Sequence, residues 1–287
     1  MLLYFFDIFS TSFTIIMKVL SLIAITFYFI ASPIYSQDFE QSKNPYHTSW
    51  TVDGLVFGTS IIVAFTASAI DDKLPKLTIA EINSLSKNDI NPIDRLSAGF
   101  YSEEQSTVSD ILVGASIISP LFLMIDNDIR NGVVTIGTMY LEVALFSTFI
   151  PSYGKGGTRR IRPYVYGTSA PLSEKLNIDS RRSFFSGHAT WAFATSIFFA
   201  NVYSDYYPNS RYKDFVWYGS IGLASTVSIL RVSSGAHFIS DVIVGAAVGS
   251  TIGYIIPYLH QNHSETLSLS PQISPQYRGL TFSIRLL

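Results

Sequence analysis

The chain has 287 residues, with 19 Lys+Arg against 21 Asp+Glu, a net charge of −2, 14% charged and 14% aromatic residues, and no cysteine. A charged fraction little more than half the ordinary ~25% argues against a water-soluble domain, and the aromatic content argues against disorder. The near-neutral balance gives no basic footprint for nucleic acid, and the lack of cysteine excludes a disulfide scaffold, a thiolate metal site and a cysteine nucleophile.

Residues 1–36 carry only Asp7 and Lys18 as charges. Met17-Lys18, an apolar run from Val19 to Ile30 and small residues up to Ser36 predict a signal peptide or N-terminal anchor, with Ser36 the last residue before cleavage. Six further apolar segments follow: Leu55–Ile70, Ile111–Ile125, Val133–Ile150, Ala189–Tyr203, Phe215–Leu230 and Ile239–Leu259. Each mixes small with bulky residues, as closely approaching helices do. Most fall just short of the ~20 residues that cross a bilayer upright, so membrane spans and buried core helices both fit, and the shortage of charge favours membrane. Glu142, within the third segment, is expected to hydrogen-bond to a Ser, Thr or Tyr of a neighbouring helix.

Between the first two segments, Ile79, Ile82 and Leu85 recur at helical spacing and predict a short amphipathic helix. Asp89, Asn91 and Asp94 lack the glycine and closing glutamate of a calcium loop and read as a solvated loop. Residues 151–188 read as a long charged linker, of a length that often carries function. Residues 260–287 read as a polar tail, whose alternation from Tyr277 to Leu286 predicts one β-strand. The expected organisation is a signal peptide or anchor (1–36), an N-terminal helix and polar loop (37–104), a helical core (105–259) and a tail (260–287). The fold class is all-α: about six core helices, membrane-embedded or membrane-associated, with a short β-like tail.

Chemistry concentrates in three places. Lys155, Arg159, Arg160 and Arg162 fall within eight positions. They fit either the charged flank of a membrane helix or an anion cradle, in which arginine forks match phosphate oxygens. Ser186-Gly187-His188 stands directly before an apolar helix. Ser186 is either an ordinary cap or, with Gly187, part of an oxyanion site at a helix N-terminus. Arg231, His237 and Asp241 lie between the last two apolar segments. Asp241 is one helical turn beyond His237, where a carboxylate could fix the imidazole tautomer and free its other nitrogen for attack. The plainer reading makes Asp241 a helix cap and His237 a loop residue. Antiparallel packing of the helices would bring all three places to one end of the bundle. His47, His260 and His263 lie outside this set and read as surface residues.

Lys155 with Arg162-Pro163 matches K-x-x-x-x-x-x-R-P; Ser186-Gly187-His188 matches P-S-G-H with Phe185 in place of proline; and Arg231, His237 and Asp241 match S-R-x-x-x-x-x-H-x-x-x-D with Leu230 in place of serine. Over about residues 105–259 the chain resembles the type-2 phosphatidic acid phosphatase and vanadium haloperoxidase superfamily. The resemblance implies a metal-independent phosphatase acting on lipid phosphates or other small phosphate esters. His237 would be the nucleophile forming a phosphohistidine, His188 the proton donor and then base, and Asp241 the support of His237. Lys155, Arg162, Arg231 and the amides of Ser186 and Gly187 would hold the phosphoryl oxygens. It implies no cofactor, with vanadate acting as a phosphate mimic, and a cell-envelope membrane location with the site facing the periplasm. A vanadium-dependent haloperoxidase and a non-catalytic membrane bundle are the competing readings.

Overall fold

The computed structural model describes residues 44–71, 74–261, 267–274 and 277–284, the last two segments at the level of the backbone. The expected signal peptide or anchor lies outside these residues. Among the described residues ten α-helices follow in order: α1 Trp50–Asp71, α2 Ile79–Ser84, α3 Pro92–Arg95, α4 Glu103–Ile118, α5 Asn127–Asn131, α6 Val133–Thr158, α7 Leu172–Lys175, α8 Gly187–Tyr206, α9 Lys213–Ser233 and α10 Ile239–His260. An antiparallel hairpin closes the chain, β1 Leu267–Ser274 on β2 Tyr277–Ile284, with Leu267 opposite Ile284.

The six long helices are α1, α4, α6, α8, α9 and α10, and they alternate in direction. Ile70, late in α1, packs on Gly156 late in α6, while Asp53 and Glu142, early in the same helices, meet the last residue of α10. Ser106, near the start of α4, meets Arg231 at the end of α9, and Asp110, one turn further on, meets both Arg231 and His188 at the start of α8. One end of the bundle therefore gathers the C-termini of α1, α6 and α9 and the N-termini of α4, α8 and α10.

Helix α8 is the centre of the bundle, packed most extensively on α10 and then on α9. The α8–α10 contact rests on glycines four apart. A Cβ at Gly245, Gly249 or Gly253 would lie 2.6, 2.2 or 2.3 Å from the carbonyl oxygen of Ser186, Thr190 or Ala194. Such a stripe lets two backbones approach closely, and here it sets Asp241, one turn before Gly245, beside Ser186. Met139, Tyr140, Val143, Phe198, Val202 and Ile256 fill the core next to it. The outer faces are apolar too: Ile61, Ile62 and Phe65 of α1, Phe215 and Ile229 of α9, and Ile243 of α10 are exposed. Four segments among the described residues are long and apolar enough to cross a membrane: Glu103–Ile125, Val133–Tyr166, Lys213–Ser233 and Ile239–His260. An apolar exterior of this kind suits a lipid surround.

Several sequence expectations need correction. Helix α6 runs through Pro151 to Thr158, so Lys155 lies on a helix and not in a linker. The apolar run ends at Ile150 because the helix leaves the apolar zone there, not because it stops. Asp94 is fully buried, not part of a solvated loop. The tail forms two strands where one was expected: Leu267–Ser274 contains Pro271, which masks a strand pattern. His260 is 1% exposed and not a surface residue. Glu142 is buried, but neither carboxylate oxygen has a hydrogen-bond partner among the described residues. The amphipathic helix is present as α2, closed by a capping box between Thr78 and Glu81.

Candidate active site

The cations converge from three helix ends. Lys155 is in the last turn of α6, where a positive charge complements the helix dipole. A Cβ on Gly187 would stand 3.7 Å from Lys155 Nζ, so the ammonium lies over the start of α8. That is ordinary contact, so packing alone does not demand glycine here. Arg162 follows a turn in which its amide donates to the Ser180 carbonyl at 2.8 Å. Arg231 is 5% exposed, and its Nη1 donates to Ser106 Oγ, Ser109 Oγ and Asp110 Oδ1 at 3.2, 3.0 and 2.9 Å. The Nε atoms of Arg162 and Arg231 are buried without a hydrogen-bond partner among the described residues. Buried donors of this kind call for an anionic acceptor. A polar cavity of about 260 Å³ opens beside Arg162, lined also by Tyr101, Ser106, Tyr164 and Asp179.

His237 hangs below a turn that only glycine can make. Gly235 has φ +76°, and a Cβ there would fall 1.8 Å from the Phe100 carbonyl oxygen. The imidazole is 2% exposed, with Nδ1 2.6 Å from the backbone carbonyl of Ser183. A carbonyl only accepts, so Nδ1 carries the proton and Nε2 keeps its lone pair. Burial, reinforced by the charges of Arg162 and Arg231, pushes the His237 pKa down to about 3, and the nearby Asp241 carboxylate offsets this only in part. The ring is neutral at physiological pH, with the Nε2 lone pair uncommitted among the described residues.

Asp241 does not orient His237 directly. Its Oδ2 is 3.8 Å from His237 Nδ1 and instead accepts from the Phe238 amide at 2.8 Å and from the Ser183 hydroxyl. Its Oδ1 accepts from Arg160 Nη1 at 2.5 Å. The capping alternative therefore describes its hydrogen bonds, and its link to His237 passes through Ser183: hydroxyl to Asp241, carbonyl to imidazole. Asp241 is a positioning residue.

Two residues to which the resemblance gives no role, Arg160 of the basic cluster and Asp94, anchor this arrangement. Arg160 bridges Asp241 and Asp94, donating to Asp94 Oδ2 at 2.6 Å, and its guanidinium stacks 4.3 Å from the centre of the Phe238 ring. Asp94 also accepts from the Ser240 amide and hydroxyl at 2.8 and 2.6 Å. Burial raises the Asp94 pKa, but the Ser240 and Arg160 hydrogen bonds outweigh it and hold the carboxyl below its usual range. A signal was available: buried carboxylates beside apolar segments need a cationic partner, and Arg160 is adjacent in sequence to the cradle.

Ser186 caps α8, its hydroxyl accepting from the Ala189 amide at 3.3 Å, and its own amide donates to the Asp241 carbonyl at 3.1 Å. The Ser186 amide is therefore committed, contrary to expectation. The amides of Gly187 and His188, the first two of the helix, have no acceptor among the described residues and are the ones able to meet an anion. His188 Nε2 donates to Asp110 Oδ1 at 2.8 Å, on the same oxygen that Arg231 holds. Asp110 is a third residue that sequence reasoning missed, because it closes a polar stretch with no motif around it. Lys155, Arg162, Gly187, His188, Arg231 and His237 thus meet at one end of the bundle. The charges of Arg162 and Arg231 reach His237, and those of Arg231 and Lys155 reach His188.

Comparison with known proteins bears on the same region. Residues 133–265 match the family model of the PAP2 superfamily. A probable diacylglycerol pyrophosphate phosphatase of Schizosaccharomyces pombe is 28% identical over 126 residues, 40% of this chain and 45% of that protein. The chain thus spans a little under half the length of that curated relative. A transmembrane PAP2-type phosphatidylglycerolphosphate phosphatase from Bacillus subtilis aligns over 72% of this chain and 94% of its own at 22% identity. The TM-score of that alignment is 0.32.

Proposed function

We propose that this chain, whose residues 133–265 match the family model of the PAP2 superfamily, is a phosphoric ester hydrolase that cleaves lipid phosphates through a phosphohistidine on His237. The observation that carries this reading is the state of His237: buried, neutral, with Nδ1 committed to the Ser183 carbonyl and Nε2 free, inside a ring of cations. His237 Nε2 attacks phosphorus, and the bond to the leaving oxygen breaks. Burial and the charge of Arg231 hold the His188 pKa down to about 4 in the free protein, against the pull of Asp110; the incoming phosphoryl charge raises it, and the imidazolium so formed gives its proton to the leaving oxygen. Neutral His188 then takes a proton from water as the water oxygen attacks phosphorus and the P–N bond breaks. Lys155, Arg162, Arg231 and the amides of Gly187 and His188 hold the equatorial oxygens.

The step uses no metal in this account. The carboxylates at this end are already committed, Asp94 and Asp241 to Arg160 and Asp110 to Arg231 and His188, and the charge facing the substrate is cationic. Vanadate would bind the same donors as a phosphate mimic. Lipid phosphate as substrate is supported by the site's place at the end of a bundle with an apolar exterior and by the lipid pyrophosphate named for the yeast relative.

We place the active site on the periplasmic face. With the active site outward, the opposite end, where Tyr46 bridges to Gln261, would face the cytoplasm. Cleavage after Ser36 would put residue 37 outside, so a cleaved signal and an outward site cannot both hold if all six long helices cross. A reporter within residues 165–175 decides the side. The activity is tested by phosphate release from phosphatidic acid, undecaprenyl pyrophosphate and p-nitrophenyl phosphate in detergent with EDTA. Release that survives EDTA and is lost in His237→Ala is expected; no release from any of the three contradicts the proposal.

A further inference from the structure

Far from the phosphatase site, at the opposite end of the bundle, three ionisable side chains from three helices meet. Asp53 comes from the first turn of α1, Glu142 from α6 and His260 from the end of α10. Their donor atoms all lie within 4.8 Å of one another. His260 and Glu142 are fully buried. His260 Nδ1 stands 2.9 Å from the Ile256 carbonyl, which only accepts, so this nitrogen carries the proton and Nε2 is left with its lone pair. Yet Nε2 faces carboxylates on two sides: Asp53 Oδ1 at 2.7 Å and Glu142 Oε2 at 3.6 Å. Lone pairs at 2.7 Å need a positive centre between them.

A proton on Nε2 meets only half of this demand. It would satisfy Asp53 and leave both Glu142 oxygens buried without a donor, in a cluster with a net negative charge. Protonating Glu142 does not resolve it, because its hydroxyl would find Nε2 at 3.6 Å, beyond hydrogen-bond reach. One divalent cation satisfies every group at once: two carboxylates balance its charge, the imidazole supplies a neutral nitrogen, and the Ile256 carbonyl fixes the ring as outer-shell partners of metal-bound histidines do. A nitrogen donor selects a transition ion over magnesium or calcium. Zinc bonds of about 2.0–2.2 Å hold ligands about 3–4 Å apart, so Asp53 Oδ1 and His260 Nε2, 2.7 Å apart, would separate slightly, while Glu142 Oε2, 3.6 Å from Nε2, already stands at a fitting distance. A cavity of about 380 Å³, lined by Thr48, Asp53, Gly54, Phe57 and Thr138, reaches the cluster through Asp53 and offers an entry path.

We infer that Asp53, Glu142 and His260 bind a zinc ion, with its fourth position left to water from the adjoining cavity, that ties α1, α6 and α10 together, separate from the phosphatase chemistry. The test uses full-length protein purified in detergent without a polyhistidine tag. Metal content is measured by mass spectrometry, and thermal unfolding is followed after stripping and after adding zinc, magnesium or calcium. The wild type is expected to hold about one zinc per chain, and its Tm to rise by about 5–10 °C at a hundredfold excess over Kd, with a smaller response to the other ions. Glu142→Gln, which keeps shape and removes charge, is expected to lose both the bound zinc and the zinc-dependent rise, and Asp53→Asn provides a second variant should the first misfold. A wild type without stoichiometric zinc and without a zinc response overturns the inference, as does an unchanged response in both variants. Neither readout involves turnover, so failure here and failure of the phosphatase reading are separable.

Discussion

The two ends of this bundle carry opposite surplus charge. At the phosphatase end Lys155, Arg162 and Arg231 surround two histidines, and the buried carboxylates are already bound: Asp94 and Asp241 to Arg160, Asp110 to Arg231 and His188. The donors left over are those of cations, the Nε atoms of Arg162 and Arg231. At the other end Asp53 and Glu142 face a single imidazole, and the groups left over are the oxygens of Glu142. Within an apolar surround neither imbalance can be diluted by water, so each end specifies the sign of what it binds: an anion at one, a cation at the other. The separation is enforced by helix direction, because α6 and α10 each contribute to both sites from their two ends.

The comparison breaks most visibly at His237. His237→Ala should lower kcat by about 10⁴-fold or more with no loss of bound zinc; steady-state kinetics and metal analysis on one preparation would check both halves. The next largest effect concerns stability at the phosphatase end. Arg160→Met strands Asp94 and Asp241 as buried charges without a cation and should destabilise by about 3–5 kcal/mol, read from denaturant or thermal unfolding. If it is neutral, the carboxylate clamp is not what fixes the start of α10.

Asp110→Asn sharpens the role of His188. It should cost about 10- to 100-fold with a lipid phosphate, whose poor leaving group needs the proton, and much less with p-nitrophenyl phosphate. Equal losses on both substrates would reassign Asp110 to phosphate-site geometry. The smallest effect is a pH slope. His237 is held near 3 in the folded protein and returns to about 6.5 when unfolded. The unfolded state therefore takes up a proton that the native state refuses as pH falls below 6.5. Stability present above pH 6.5 declines towards pH 3, by at most about 1.4 kcal/mol per pH unit. In His237→Gln that contribution is missing, so the variant's Tm should fall less than the wild type's between pH 7 and pH 5.

Much of the phosphatase end was legible in the sequence because its residue types and spacings are dictated by local geometry. Glycine at 235 is needed for the turn, a cap at 186 starts α8, and basic residues stand at helix ends. The antiparallel order of six apolar segments was enough to bring Lys155, His188 and His237 together. Less legible was anything that depended on long-range partners. Arg160, Asp94 and Ser183 lie in separate parts of the sequence, and only the fold shows that they form one network with Asp241. The Asp241–His237 spacing of four suggested contact on one helix face, but His237 precedes α10 and turns to the Ser183 carbonyl. His260 read as a surface residue because it follows the last apolar run; the packing of α1 over the end of α10 buries it. Hydropathy also placed the end of α6 too early, since a helix can leave the apolar zone and continue.

The central claim is that His237 carries the phosphoryl group. Wild-type protein and His188→Ala, each mixed with p-nitrophenyl phosphate, quenched in alkali and digested, would be analysed by mass spectrometry for phosphate on the peptide containing His237. The account predicts phosphohistidine at His237, at higher occupancy in His188→Ala, where the base for the second step is missing. Phosphate release with no phosphorylated His237 in either protein would contradict it.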